Sequence, residues 1–391
     1  MSLAWSDDTG RREAGALAEL DLLRQAVALR PHQARYHYAL AEAHFRAEAF
    51  EAGLEAFDKG VACEPAQPRQ LAPYLRALCA VGRADEALTL IGSRFPRLDG
   101  HPDLLACRGA AHLKRGDLER AVADLRGSLQ LAPRSALTLS LLTKALSQQR
   151  DWQGLVDVAE GLRGAGVLSN TVVRALIQGL PHLGRIEEAA SWVAFEHVVR
   201  VRDLTPPSDW PSLEAFNAAL VADVRSPHKI RLRDVPRLRL TGGEQVEDLH
   251  VDSGPAMGAL MRQIREAVQA YVDQAASPVR ALLDAQRGEV MAVRAWALLL
   301  GASDTQDDHF HLESMLAGVY YVDAPAQVLV EGCADGCLLI PTETAVAGGP
   351  RAIQPRPGRL VLFPGYVNHR TTPTNVDATR VSIAFNVVAV A

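Results

Sequence analysis

The chain has 391 residues, a formal net charge of -5 at pH 7 and 48% hydrophobic residues, enough for two or three domains with packed cores. Such a balanced charge excludes a dominant attraction to nucleic acid or to an anionic membrane surface. No apolar run is long enough for a membrane span, no signal-peptide pattern opens the chain, and five scattered cysteines fit free thiols in a reducing cytoplasm.

The first half repeats itself. "AHFRAEAFEAGLEAF" (43–57) aligns with "AHLKRGDLERAVADL" (111–125), and "ALCAVGRADEALTLI" (77–91) falls midway, a period of 34 residues. One column reads Phe50, Ala84, Leu118, Trp152, Ile186, a second Gly53, Ala87, Ala121, Leu155, Ala189, and a third Phe57, Ile91, Leu125, Ala159, Val193. Gly82, Gly116 and Gly184 share a turn position, and Pro31, Pro65 and Pro133 share a helix-ending one. A small residue at a helix crossing and a glycine at the turn allow two helices to pack closely. This pattern resembles the tetratricopeptide repeat (TPR), a helix–turn–helix unit that stacks into an α-solenoid. The resemblance implies a concave surface that holds a protein or peptide. Docking onto the chain's own second domain, or formation of a homodimer, are the other uses of such an array.

Beyond residue 200 the period stops at "TPPSDWPS", a boundary signal. "HKIRLRDVPRLRLTGG" alternates basic and apolar residues as an edge strand does. Met257, Leu260, Met261, Ile264, Val268, Tyr271 and Val272 follow helical spacing, which predicts an amphipathic helix over 254–274. From residue 289, "EVMAVRAWALLL", "LAGVYYV", "QVLVEG", "CLLIP", "GRLVLF" and "TRVSIAFNVVAV" are short β-type runs between turn residues. A double-stranded β-helix, jelly-roll or cupin-like, closes such a set of strands. The expected fold is therefore α + β multidomain: a repeat array over 1–200, a connector and domain start over 201–245, and a β domain with flanking helices over 246–391.

Chemistry-bearing residues concentrate in that last part. "DDHFHLESMLAGVYYVD" sets His309 and His311 two apart, with Glu313 two further on; in a strand the three would share a face. His369 follows the Pro364-Gly365 break. Arg380, Ser382, Ala384 and Asn386 alternate with Val381, Ile383, Phe385 and Val387. The apolar set chooses the core, so the face with Arg380 looks into something polar, and an arginine beside a serine suits a carboxylate. Tyr320 and Tyr321 oppose each other, with Tyr321 the candidate for the site. Trp296 reads as packing, Asp307 and Asp308 as a solvated loop, and the Cys333/Cys337 pair as the flanks of a turn rather than metal ligands. Two imidazoles, a distant third and an Arg-x-Ser strand match the donor needs of a non-haem iron site with open positions.

The motifs "HFHLESMLAGVYYV" and "GRLVLFPGYVNHR…RVSIAFNV" resemble those of bacterial 2-oxoglutarate-Fe(II) oxygenases, a likeness that spans about residues 213 to 390. It implies Fe(II), with 2-oxoglutarate and O₂ as co-substrates, ligands at His309 and His369, and Arg380, Ser382, Tyr321 and Asn386 around the co-substrate. The full set is either three histidines, His309, His311 and His369, or a set shifted by two, His311, Glu313 and His369. No catalytic residue is expected beyond the metal centre. Ala317 and Leu312 depart from the family pattern and bear on the substrate pocket. The implied activity is hydroxylation, and the repeat array beside the site suggests a protein or peptide as its substrate. The competing readings are a three-histidine zinc hydrolase, a dioxygenase that needs no keto acid, and a non-catalytic repeat adaptor.

Overall fold

A computed structural model describes residues 2–7, 12–95, 98, 100–226, 229, 231–233, 240–341 and 349–390. The chain divides into two compact units, Arg12–Val167 and Met1–Arg11 with Leu168–Ala391. The division falls ahead of the composition break near residue 200, so the fifth repeat copy lies in the second unit.

The first unit is all helical: α1 (Arg12–Leu29), α2 (Ala34–Arg46), α3 (Phe50–Cys63), α4 (Pro68–Ala80), α5 (Ala84–Arg94), α6 (Pro102–Arg115), α7 (Leu118–Leu131), α8 (Ala136–Gln149) and α9 (Trp152–Gly164). The column Phe50, Ala84, Leu118, Trp152 opens α3, α5, α7 and α9. The period is also written in the backbone, because Glu48, Gly82, Gly116 and Arg150, each 34 apart, all turn with positive φ (55°, 83°, 80° and 57°). Ala87, Ala121 and Leu155 are wholly buried where one helix crosses the next. Helices pack on their chain neighbours, and α2 on α4, α4 on α6 and α6 on α8, the nearest-neighbour stacking of a TPR-like array. Pro31, Pro65 and Pro133 each stand two residues beyond a helix end, where a residue lacking an N–H stops the ladder without loss.

The second unit combines β1 (Trp5–Ser6), α10 (Asn170–Gly179), α11 (Ile186–Val193), α12 (Phe195–Val198), β2 (Arg200–Asp203), α13 (Leu213–Arg225), β3 (Arg231–Leu232), β4 (Leu240–Thr241), β5 (Glu244–Leu249), α14 (Pro255–Gln274), α15 (Val279–Gln286), β6 (Val290–Leu300), β7 (Thr305–Gln306), β8 (Leu316–Asp323), β9 (Leu338–Ile340), β10 (Arg351–Ile353), β11 (Arg359–Pro364), β12 (Arg370–Thr371) and β13 (Arg380–Val390). The larger sheet runs β2-β11-β8-β13-β6-β5-β3, with β1 alongside β6; smaller sheets are β10-β9-β12 and β4-β7. Every pairing is antiparallel except that of β1 with β6. This is the expected C-terminal antiparallel domain. Its core joins the apolar faces of α10, α13, α14 and α15 to the larger sheet.

Two expectations about local structure are corrected. "QVLVEG" forms a 3-10 turn over Ala326–Leu329 followed by a bend, not a strand; the Gln354 side-chain amide donates to the carbonyls of Val328 and Val330, the bonds a sheet neighbour would make. The segment His309–Glu313 is not a strand either. It makes a single bridge at His309 and then turns. The predicted edge strand over 228–243 survives as β3, which does lie at the sheet edge, and as β4; residues 228, 230 and 234–239 lie outside the described residues, as do 342–348 of the loop after β9.

Candidate metal centre

Strand register decides which side chains meet. In β13, Arg380, Ser382, Ala384 and Asn386 stand opposite Leu300, Leu298, Trp296 and Arg294 of β6. On the other side Ser382 faces Tyr321 and Ala384 faces Val319 of β8. Directly opposed residues share a face, so Arg380, Ser382, Trp296 and Tyr321 project together. Tyr320 turns inward, where its hydroxyl donates to Asn217 Oδ1 at 2.8 Å.

This face lines a cavity of about 430 Å³, part of it open to solvent. Gln306 of β7, Leu338 of β9 and Thr371 of β12 line the same cavity, so it lies between the larger sheet and the smaller ones. His309, His311 and His369 share it. Pro364 ends β11, the chain turns with Val367 N–H donating to Pro364 O at 3.0 Å, and His369 emerges against His309. The two exchange both backbone bonds, at 3.0 and 2.9 Å. Their rings lie 4.1 Å apart, and His311 is 5.1 Å from His309 and 5.2 Å from His369. One ring nitrogen from each can be chosen so that all three lie within 4.8 Å of one another. Glu313 is exposed on the turn and is not part of this group.

Hydrogen bonds and burial prepare the imidazoles as donors. His309 Nδ1 lies 2.7 Å from the Asp307 carbonyl and His369 Nδ1 lies 3.1 Å from the Val367 carbonyl. A carbonyl only accepts, so each Nδ1 carries the proton and each Nε2 keeps a lone pair for a metal. Burial, and secondarily the neighbouring His309, pushes the His311 pKa down to about 3; burial holds that of His369 well below the usual histidine value. Three imidazole nitrogens within reach of one another in one cavity fit a first-row divalent metal with open positions.

Arg380 is 1% exposed. It donates to the Gly336 carbonyl, and its guanidinium carbon lies 5.9 Å from the centre of the Tyr321 ring. Its Nε is buried with no hydrogen-bond partner, and no carboxylate pairs with it among the described residues. Burial lowers its pKa, against the pull of Tyr321 and Cys337, while Tyr321 is pushed up to about 12, chiefly by burial. A buried cation without a counter-ion costs several kcal/mol on the order of magnitude usual for desolvated charges, and an incoming anion removes that cost. Ser382, 1% exposed, stands beside it on the cavity wall. The donor set thus fits a metal at the histidines and a carboxylate at Arg380.

Residues 294–386 match the family described as "Putative 2OG-Fe(II) oxygenase". The matched segment contains all three histidines and Arg380. No curated protein matches the chain. Among solved structures, a Pseudomonas putida prolyl-4-hydroxylase is 14% identical with a TM-score of 0.37, covering 56% of this chain and 100% of that one. Pseudomonas aeruginosa PilF is 20% identical with a TM-score of 0.36, covering 47% and 90%. A thermophilic TPR protein of Thermus thermophilus is 16% identical with a TM-score of 0.33, covering 40% and 86%.

Of the residues singled out from the sequence, the fold brings His309, His311, His369, Arg380, Ser382 and Tyr321 to one cavity. Asn386 shares the β13 face but is not among the cavity-lining residues; its Oδ1 is buried without a partner. Trp296, read as packing, lines the cavity with an unpartnered buried Nε1 and its ring 6.2 Å from His311. Gln306, Thr371 and Phe363 were not singled out; nothing in their local sequence marks them, because sheet register puts them there.

Proposed function

We propose that the second unit is an Fe(II)- and 2-oxoglutarate-dependent oxygenase of the hydroxylase type, acting in the cytoplasm on a protein or peptide recruited by the TPR-like array. His309, His311 and His369 hold the iron through neutral imidazole nitrogens. Arg380 and Ser382 bind the far carboxylate of 2-oxoglutarate, Tyr321 forms the wall beside it, and Asn386 supports that face from further along the strand. Bound Fe(II) supplies the redox chemistry that couples oxidative decarboxylation of 2-oxoglutarate with O₂ to hydroxylation of a C–H bond, releasing succinate and CO₂. The protein orients the co-substrate by its two ends and excludes water with the apolar walls of Phe363, Leu338 and Trp296.

The observation that carries this reading is the buried Arg380, which has no carboxylate partner among the described residues and faces the same cavity as three histidines. A zinc hydrolase would need only the histidines and would leave that cation without a partner. The test is anaerobic addition of Fe(II) and then 2-oxoglutarate to metal-free protein, watching for the visible charge-transfer band of the chelate. We expect a band in the wild type and in Glu313→Ala, and none in His311→Ala. A wild type that binds Fe(II) but develops no band overturns the 2-oxoglutarate assignment.

A further inference from the structure

The loop that carries His311 is gripped from a distant part of the chain. Asn170, the first residue of α10, is 0% exposed. Its Nδ2 lies 3.1 Å from the His311 carbonyl, 3.0 Å from that of Leu312 and 2.8 Å from that of Ser314. Three backbone carbonyls converging on one point only accept, and their dipoles repel one another. The amide nitrogen must therefore face them, its two hydrogens shared among three oxygens. The other end of the amide, Oδ1, is buried without a partner, so this side chain is spent wholly on the loop.

A second grip acts on the same residue. His311 N–H donates to the Gly365 carbonyl at 2.7 Å. A side chain at Gly365 would collide with the carbonyls of Ser314 and His311 and with the Asn170 amide, so only glycine permits this approach. The backbone of His311 is thus held at its N–H from the chain leading to His369 and at its C=O from α10. With both ends of the residue fixed, the Cα–Cβ direction and the origin of the imidazole are fixed too. Metal sites require such support because ligand nitrogens must be held to within about 0.5 Å.

We propose that Asn170 is a positioning residue for the metal centre, setting the place of the His311 imidazole through the carbonyls of the His311–Ser314 turn. The inference rests on the reading of the three histidines as metal ligands. It assigns to the fifth repeat copy a part in assembling the site.

The test uses full-length, metal-free protein and Co(II) alone, reading affinity and the visible ligand-field bands. Asn170→Ala is expected to weaken Co(II) binding about 10–100-fold, the range for groups that orient ligands, and to alter the bands. Asn170→Ser keeps one donor and should fall between; it carries the test where Asn170→Ala does not fold. Asn217→Ala is the control, since it removes a buried hydrogen bond from Tyr320 elsewhere in the same unit and should leave both readouts unchanged. Wild-type affinity and bands in a folded Asn170 variant overturn the inference, as does an equal change in Asn217→Ala. A wild type that binds no Co(II) instead overturns the ligand reading itself, and the inference with it.

Discussion

His309 and His369 are joined through their backbones, each donating its N–H to the other's carbonyl at 3.0 and 2.9 Å. Two donors 60 residues apart are therefore brought opposite each other by a β-bridge and not by the metal they would share. Replacing the His369 imidazole keeps that bridge. We expect His369→Ala to fold, to lose Fe(II) affinity by more than the 10–100-fold typical of an outer-shell partner, and to lose the thermal shift that metal confers. For the wild type that shift corresponds to about 2.7 kcal/mol at a metal concentration of 100 Kd. Melting curves with and without chelator read both.

Arg380 should affect binding and stability in opposite directions. Arg380→Met removes a buried cation that has no carboxylate partner among the described residues. Without co-substrate the variant is expected to melt at the wild-type temperature or above it, as replacements of buried charge by apolar groups often do. Affinity for 2-oxoglutarate should fall by about 2–5 kcal/mol, since the bound carboxylate then lies buried and unpaired. Calorimetric titration beside a thermal melt separates the two; a large loss of stability in the unliganded variant would contradict the electrostatic argument.

The exposed Glu313 and the cavity-lining His311 are distinguished by substitution. Glu313→Ala should change Fe(II) affinity by less than about 0.5 kcal/mol, as surface substitutions do. His311→Ala should abolish tight binding. Equilibrium dialysis with Fe(II) under anaerobic conditions measures each directly.

The repeat turns offer a pair of substitutions with opposite signs. Gly116 has φ 80° and Arg150 has φ 57° at the same repeat position. A side chain in the left-handed region costs roughly 1–2 kcal/mol. Gly116→Ala should destabilise by about 1 kcal/mol and Arg150→Gly should stabilise by up to a similar amount, less the entropy that glycine adds to the unfolded chain. Urea unfolding midpoints at unchanged slope provide the comparison.

Acid should weaken the repeat unit. Burial lowers the pKa of His44, with Arg24 acting in the same direction, and burial lowers that of His112 against the opposing pull of Asp124 and Asp117. Below the ordinary value of 6.5 the unfolded chain therefore binds more protons than the folded one. Stability is fully present above about pH 6.5 and is lost as pH falls from there toward the folded-state values. Between pH 7.5 and 5.5, the thermal midpoint of the wild type should drop further than that of the double variant His44→Gln/His112→Gln.

Much of the protein is legible in its sequence. A helix or strand writes its period into the residues that build it, so the 34-residue spacing of Phe50, Ala84, Leu118 and Trp152 and the alternation of Arg380 with Val381 through Val387 mark elements and buried faces directly. The spacing of His309, His311 and Glu313, with a later His369 and Arg380, likewise marks the candidate donors by residue type. Other features depend on which segments meet. Glu313 and His311 are equivalent by spacing, and only the turn after the His309 bridge exposes one while the other lines the cavity. Trp296 reaches the cavity because β6 pairs with β13 in one register. Asn170 meets the His311 carbonyl across 141 positions of chain, a contact with no local signature. Local periodicity is set by neighbours a few residues apart, whereas register and long-range hydrogen bonds are set by the packing of the whole unit.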